Sequence, residues 1–451
     1  MLQMSDPSSA AARAADLVAA AVAAGADAAD VLYVRDSSTQ VSVRLGALED
    51  VQRSDGAEIG LRLFVGRRSA SVSSSDLSPA AMAALVERAV AMAREAPEDP
   101  HAGLAPADML ETGPTVDVEI DDGGTAGPAE LKARALEAED AARAVEGVTN
   151  SEGGSASASR ATIALATSTG FARAYATTSY GCSASVIAGA GGAMQRDYAT
   201  HGVRHLADME AAAVIGRRAG ERAVARLNPA QLSSGQMPVL FDRRVSAGLL
   251  GPLIGAITGS AIARRTSFLL DQLGEQVFAP GIRIVDDPRR RRGLRSRPFD
   301  GEGLPTALRE IVADGRLTGW IADSASARQL GIAPTGHASR GIGGSPGAGT
   351  TNLHLDAGDV SVADLIADIK LGFWVTELIG SGVNGLTGDY SRGAAGFAIR
   401  DGQLAEPVAE VTIAGNLKAM YRALIPASDL EFRSGTNAPT VRIDGMTVAG
   451  A

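Results

Sequence analysis

The chain has 451 residues, 45% of them apolar and 21% charged, with a formal net charge of -10. That length exceeds what one hydrophobic core usually serves and predicts about two or three domains. The acidic balance excludes a general nucleic-acid binder, which draws on surplus Lys and Arg. No run approaches the ~18 uncharged apolar residues of a membrane span.

Residues 10–24 read as an amphipathic helix presenting Leu17, Val18 and Val22 and ending at Gly25. Asp6, Arg13 and Asp16 break up any apolar core there, so this is not a signal peptide. Period-two runs follow at Val31/Tyr33, Val41/Val43/Leu45 and Ile59/Leu61/Leu63. Ser54-Asp55-Gly56 is the expected turn between the second and third. Ser78-Pro79 supplies an N-cap and first-turn proline for a helix expected to bury Met82, Leu85, Val86, Ala89 and Met92. Residues 10–96 thus read as an N-terminal α/β domain, an antiparallel sheet with helices on one face.

The Pro-, Gly- and Asp-rich stretch 97–127 reads as a linker. A central α/β domain, 128–230, is expected to hold a helix over 128–146 closed by Gly147. Strands at 162–166, 171–177 and 182–187 follow, then a helix over 208–227 ended by Asn228-Pro229. From 237 to 451, apolar runs such as Val239-Leu240-Phe241 alternate with glycine-rich connections, and 242–262 and 361–371 look helical. This C-terminal domain is expected to be β-rich and barrel-like with a few helices. The fold class is α+β. With aromatics at only 4%, alanine and glycine predict close backbone packing.

Cys182 is the one cysteine, which excludes an intrachain disulfide and fits a reducing, cytoplasmic setting. Its apolar, strand-like neighbours make it a structural thiol. His201 and His205 would share a face only on a helix; Gly202 and the strand pattern argue against one, and the Glu of H-E-x-x-H is missing. His337 and Ser339 lie close enough in sequence for a base and a nucleophile, but no Gly-x-Ser-x-Gly elbow surrounds them, so a structural histidine is the preferred reading. The loop 341–350 has no Gly-Lys-Ser/Thr ending and reads as a tight turn, with a surface for an extended peptide as the second choice. The basic run Arg289-Arg290-Arg291-Arg292 reads as a solvated loop.

Gly388-Asp389-Tyr390-Ser391-Arg392-Gly393-Ala394-Ala395-Gly396-Phe397, followed by Val411-Thr412-Ile413-Ala414-Gly415-Asn416-Leu417, resembles the C-terminal signature of the TldD/PmbA family, whose members form heterodimeric zinc peptidases. Thr149–Gly154, Gln195–Tyr198, Arg265–Leu269, Arg297–Gly303 and Val375–Leu378 extend the resemblance across nearly the whole chain. It implies an N-terminal α/β portion followed by a β-rich C-terminal domain. The family's zinc subunit (TldD) carries H-E-x-x-x-H on a helix, and no such string occurs here. The chain therefore resembles the non-metal subunit type (PmbA, or TldE).

Counting back from Arg265-Thr266-Ser267 places Leu250, Gly251 and Gly255 where the first His, the Glu and the second His would fall. The zinc subunit's C-terminal cysteine ligand has no counterpart around Ser434 to Ala438. Zinc needs N, S or O donors at about 2.0–2.3 Å, and leucine and glycine side chains offer none. The resemblance thus implies no metal ligand, catalytic residue or cofactor in this chain, with zinc held by a TldD-like partner; a homodimer is the assembly expected of the chain alone. Unfolded peptides are the implied substrate, and the barrel-like domain is the expected partner interface. His337, Glu377, Asn384, Asp389, Tyr390 and Arg392 are candidate peptide or partner contacts; Asp389 and Arg392 could instead form an ion pair bracing a turn. The alternative is a non-catalytic binding or regulatory protein, after the family's description as a modulator of DNA gyrase.

Overall fold

The computed structural model describes residues 6–450. Helix α1 (Pro7–Ala23) buries Ala10, Ala14, Leu17, Val18 and Ala21, while Val22 lies off that stripe and is exposed. Strands β1 (Ala28–Arg44) and β2 (Ala47–Val65) form one long hairpin. Its turn is at Leu45-Gly46, both with positive φ (52° and 78°), and not at Ser54-Asp55-Gly56, which pair inside β2 with Ser38, Ser37 and Asp36. Residues 47–56 are exposed, so no apolar alternation marks them as strand.

β3 (Arg68–Ser74) completes this half of the sheet. α2 (Pro79–Glu95) is capped by Ser78, whose Oγ accepts the Ala81 N–H. It buries Leu85, Val86, Ala89, Val90 and Ala93; Met82 is partly buried and Met92, expected inside, faces solvent.

The stretch 97–127 runs back over the sheet and buries Leu110, Val118 and Ile120. It leads to α3 (Pro128–Arg143), β4 (Val148–Thr167), β5 (Ala172–Ala188), β6 (Gln195–Val203) and α4 (Ala212–Ala225). The strands expected at 171–177 and 182–187 are one, because burial alternates through 178–188 without a break. The sheet order is β3-β2-β1-β4-β5-β6, antiparallel throughout. Residues 10–96 and 128–230 therefore give three strands each to one sheet. All four helices cover one face, packing on Val31, Tyr33, Val41, Val43, Ile59, Leu61, Leu63 and Val186. The α3–α4 contact is made backbone to backbone: a Cβ on Gly216 would stand 1.9 Å from the Ala138 carbonyl oxygen.

The C-terminal part begins with β7 (Gly235–Phe241). The single helix expected over 242–262 is three, α5 (Arg243–Ser246), α6 (Leu250–Ile257) and α7 (Gly259–Ala263). Thr258 breaks it with extended backbone (ψ 139°), and its Oγ1 caps α7 through the Ala261 N–H. Next come β8 (Ile284–Asp286), β9 (Arg309–Ala313), β10 (Arg316–Leu317), α8 (Ser324–Leu330), β11 (Ala338–Ser339), β12 (Gly347–Ala348), β13 (Leu353–Leu355) and α9 (Val362–Ile366). The remainder is β14 (Leu371–Ile379), β15 (Asp389–Arg400), β16 (Gln403–Asn416), α10 (Leu417–Ala423), β17 (Leu424–Pro426), β18 (Thr436–Asn437) and β19 (Val441–Ala449). The helix expected over 361–371 is thus only α9, and Leu371 already opens a strand.

β16-β15-β14-β7-β19 form a sheet whose ends meet, since Thr412, Ile413 and Ala414 of β16 pair with Ala449, Val448 and Thr447 of β19. That closes a five-stranded barrel. Val239, Phe241, Phe373, Val375, Ile413, Val441 and Ile443 fill its core. A smaller sheet, β10-β9-β8-β13-β18, lies beside it. Among the described residues no helix is long and apolar enough to cross a membrane.

Candidate functional site

Helix α6 carries Leu250 and Gly251 and, one turn on, Gly255, the residues that the resemblance sets against a metal-binding motif. Asp242 caps α5 by accepting the Arg244 N–H at 2.9 Å, and its other oxygen accepts Trp374 Nε1–H at 3.1 Å. Tyr421, stacked on Phe278 at 4.4 Å, donates its hydroxyl to the Leu249 carbonyl at 2.8 Å and so fixes the start of α6. Leu250, Leu253 and Ile257 turn into the core, and Leu250 is 1% exposed. Gly251 and Gly255, one turn apart, face open space: a Cβ on either would meet nothing within 4 Å. These residues do not fit a zinc ion, since none offers a side-chain donor. Among the described residues no group of three or more His, Cys, Asp or Glu is placed to hold a metal. In the loop 434–438, Asn437 Oδ1 accepts the N–H groups of Arg433 and Ser434, and its Nδ2 donates to the Ser434 carbonyl.

Two of the candidate contacts come together at an exposed corner ahead of and opening β15. Asn384 Oδ1 accepts the Leu386 N–H at 2.9 Å, and Asp389 accepts from Thr387 Oγ1 at 2.6 Å and Asn416 Nδ2 at 3.0 Å. Those two donors hold the Asp389 carboxyl below the usual carboxylate range. The corner is braced by these hydrogen bonds; among the described residues no ion pair joins Asp389 to Arg392. Tyr390 points the other way, 2% exposed, its hydroxyl without a partner and its pKa pushed up to about 12 by burial. Arg392 Nε is likewise buried and unpartnered. Glu377 follows a bulge in β14 and pairs with Arg226 at the end of α4 at 2.5 Å, linking barrel to sheet.

His337 lies elsewhere, 3% exposed. Its Nδ1 is 2.8 Å from the Thr335 carbonyl and its Nε2 is 3.5 Å from Asp286 Oδ2. Both ring nitrogens are engaged, while Ser339 is exposed and makes no bond to the ring, so the pair has no base–nucleophile geometry. The glycine-rich loop is the turn of the β11–β12 hairpin. His201 sits on β6 and accepts the Glu210 N–H; His205 follows the strand and contacts the Glu119 carbonyl. Neither is helical. Cys182 is buried and its thiol is pushed up to about 11 by burial, which removes it as a nucleophile.

Sequence reading missed a pair of arginine-lined cavities at the seam between the sheet and the C-terminal part. The first, about 240 Å³, is lined by Arg218, Arg222, Arg243, Arg244 and Arg433, with Glu431 the one lining carboxylate among the described residues. It shares Gly202, Arg433 and Ser434 with a second of about 300 Å³ bounded by Arg290, Arg291 and Arg292. The run 289–292, expected to be a solvated loop, packs on the connection 111–119: Arg291 and Arg292 pair with Glu119, and Arg292 also with Asp208. Arg290 instead lies over the Phe432 ring, 3.1 Å from its centre. The signal was dispersed, because Arg218 and Arg222, Arg243 and Arg244, the run 290–292 and Arg433 lie in separate parts of the sequence.

Fold and site together define an α+β protein with a helix-backed antiparallel sheet joined to a closed barrel, and with no metal-donor side chain on α6. Three family profiles match in chain order: PmbA/TldA metallopeptidase domain 1 over residues 29–93, the central domain over 121–227 and the C-terminal domain over 234–450. The chain is 38% identical over 427 residues to metalloprotease PmbA of Escherichia coli O157:H7, covering 94% of this chain and 92% of that one. It is 35% identical over 439 residues to a metalloprotease PmbA homolog of Haemophilus influenzae, covering 95% and 94%. A crystal structure of a candidate modulator of DNA gyrase from Bacteroides thetaiotaomicron superposes with a TM-score of 0.89 at 27% identity, covering 98% of each chain. The chain belongs to the PmbA/TldD family of metallopeptidases.

Proposed function

We propose that this chain is the metal-free subunit of a PmbA/TldD-type peptidase, in the cytoplasm, completing a chamber where a zinc-bearing partner cleaves extended peptides. The observation that carries this reading is α6: Leu250 is packed in the core, and Gly251 and Gly255 present no side chain. Without donors there is no site for a metal to activate water, and without a carboxylate there is no base beside it. Hydrolysis then comes from the partner. Two features support the subunit role. Exposed Ile379, Val383 and Leu386 gather near the polar corner of the barrel, an apolar patch suited to a protein interface. β6 is the last strand of its sheet and can add an extended peptide by backbone pairing, which tolerates many sequences.

Purified alone, the protein should retain no stoichiometric zinc in elemental analysis and leave a fluorogenic unstructured peptide intact. Adding the zinc-bearing partner should restore cleavage. One tightly held zinc per chain, with activity in isolation, overturns the proposal. A regulatory reading draws on the gyrase-modulator description of the Bacteroides protein. A partner with its zinc-site glutamate replaced discriminates, since only regulation predicts full function with it.

A further inference from the structure

We infer that the joined cavities at the seam recognise carboxylates of an acidic peptide segment. This rests on the chamber reading and names the substrate class that chamber would prefer.

Arg222 and Arg290 carry the argument. Arg222 donates one hydrogen bond, to the Tyr198 carbonyl at 3.2 Å, and makes no ion pair among the described residues. Arg290 lies on Phe432 and also makes none. Burial lowers the pKa of both; Arg244 beside Arg222 adds repulsion, and the nearby carboxylates of Asp197 and Asp242 at Arg222 and of Asp287 at Arg290 offset only part of it. The carboxylates of the two linings are already engaged: Glu431 with Arg433 at 2.8 Å and with Arg243, and Asp208 with Arg292 at 3.0 Å. The walls thus hold two cations partly withdrawn from water and with no ion-pair partner among the described residues, an arrangement that costs energy until an anion enters. The guanidinium fork matches a carboxylate with two parallel hydrogen bonds.

Shape and overall charge favour a peptide over a nucleic acid. Cavities of about 240 and 300 Å³ admit acidic side chains or a chain terminus, not a run of phosphate backbone. A net charge of -10 repels a long polyanion outside them. Tyr198, Thr200 and Gly202 of the edge strand β6 line the first cavity, so an extended chain lying there would pass directly over Arg222.

The test uses the full chain alone and a fluorescein-labelled peptide of alternating Glu and Gly, followed by anisotropy at low salt. A Ser-Gly peptide of equal length is the neutral control. Free and amidated C-termini separate terminal from side-chain carboxylates. The acidic peptide should bind roughly tenfold more tightly than the neutral one, as one or two charged hydrogen bonds provide, and salt should weaken it. Arg222→Met and Arg290→Met should each lose roughly tenfold with an unchanged melting temperature, and Arg222→Lys should recover part of the loss. Equal affinity for the two peptides, undiminished binding in both Met variants, or tighter binding of a single-stranded oligonucleotide overturns the inference. Zinc retained by the isolated chain would sink the subunit reading and leave this result standing; equal binding here would leave reconstituted cleavage untouched.

Discussion

Glu302 is a carboxylic acid held where its charge is costly. It is 3% exposed, and its Oε2 accepts the Ser324 N–H at 2.8 Å and the Ser324 hydroxyl at 2.7 Å. Burial, reinforced by Asp300, pushes its pKa up to about 7; Ser324 and an Arg62 nitrogen 3.9 Å away offset only part. The folded value is above the unfolded one of about 4.3, so this group's contribution is fully present below that pH and is lost as pH rises through about 7. The loss amounts to about 4 kcal/mol at most. Glu302→Gln keeps an acceptor for Ser324 and has no charge to bury. In urea denaturation, its stability relative to the parent should rise between about pH 5 and about pH 8. A pH-independent difference would remove the account.

At the scale of elements, Gly216 sets how closely α3 and α4 approach. Alanine is the better helix former by about 1 kcal/mol, so propensity alone predicts that Gly216→Ala stabilises. A Cβ only 1.9 Å from the Ala138 carbonyl requires the helices to part, and the expected result is a net loss of about 1–3 kcal/mol in thermal or chemical denaturation. The sign decides between them. Helices α1 and α2 were legible because their buried stripes repeat at helical spacing, and so was the glycine–alanine packing that composition announced. The β1–β2 turn was not, because the first half of β2 is exposed and leaves no period, whereas Ser54-Asp55-Gly56 imitates turn chemistry inside a strand. The closing pair β16–β19 leaves no local trace either, since pairing at long range is written in neither strand alone. Of the candidate contacts, Asn384 and Asp389 were found as neighbours, but Tyr390 beside them turns inward: strand alternation assigns opposite faces without saying which is wet. The seam arginines, the run 289–292 included, did not read as a site because charge reads as surface until the fold encloses it.

Across the whole molecule, Asp30 of β1 holds the two parts together. It accepts from Arg62 of β2, with Nε at 3.0 Å, and from Arg340 beyond β11. The two guanidinium groups outweigh the burial that would raise its pKa, and they hold the carboxyl below its usual range. The backbones meet at the same place, since a Cβ on Gly60 would stand 1.7 Å from the Ile342 carbonyl oxygen. Asp30→Asn leaves two buried cations facing each other and should cost about 3–5 kcal/mol in chemical denaturation. Asp55→Asn, which breaks the Arg35–Asp55 pair, should cost under about 1 kcal/mol and serves as the control. The barrel's connectivity also imposes an order of assembly. Phe241 of β7 waits for Val441 of β19, and residues 242–440 must be synthesised before that flank of β7 is covered. The helix-backed sheet has its last strand by residue 203 and its last helix by residue 225, and can fold on the ribosome first, while Val239, Leu240 and Phe241 remain an uncovered, sticky ribbon. Stave closure therefore cannot precede synthesis of β19, and nascent chains stalled before residue 441 are the species expected to be captured by a holdase chaperone.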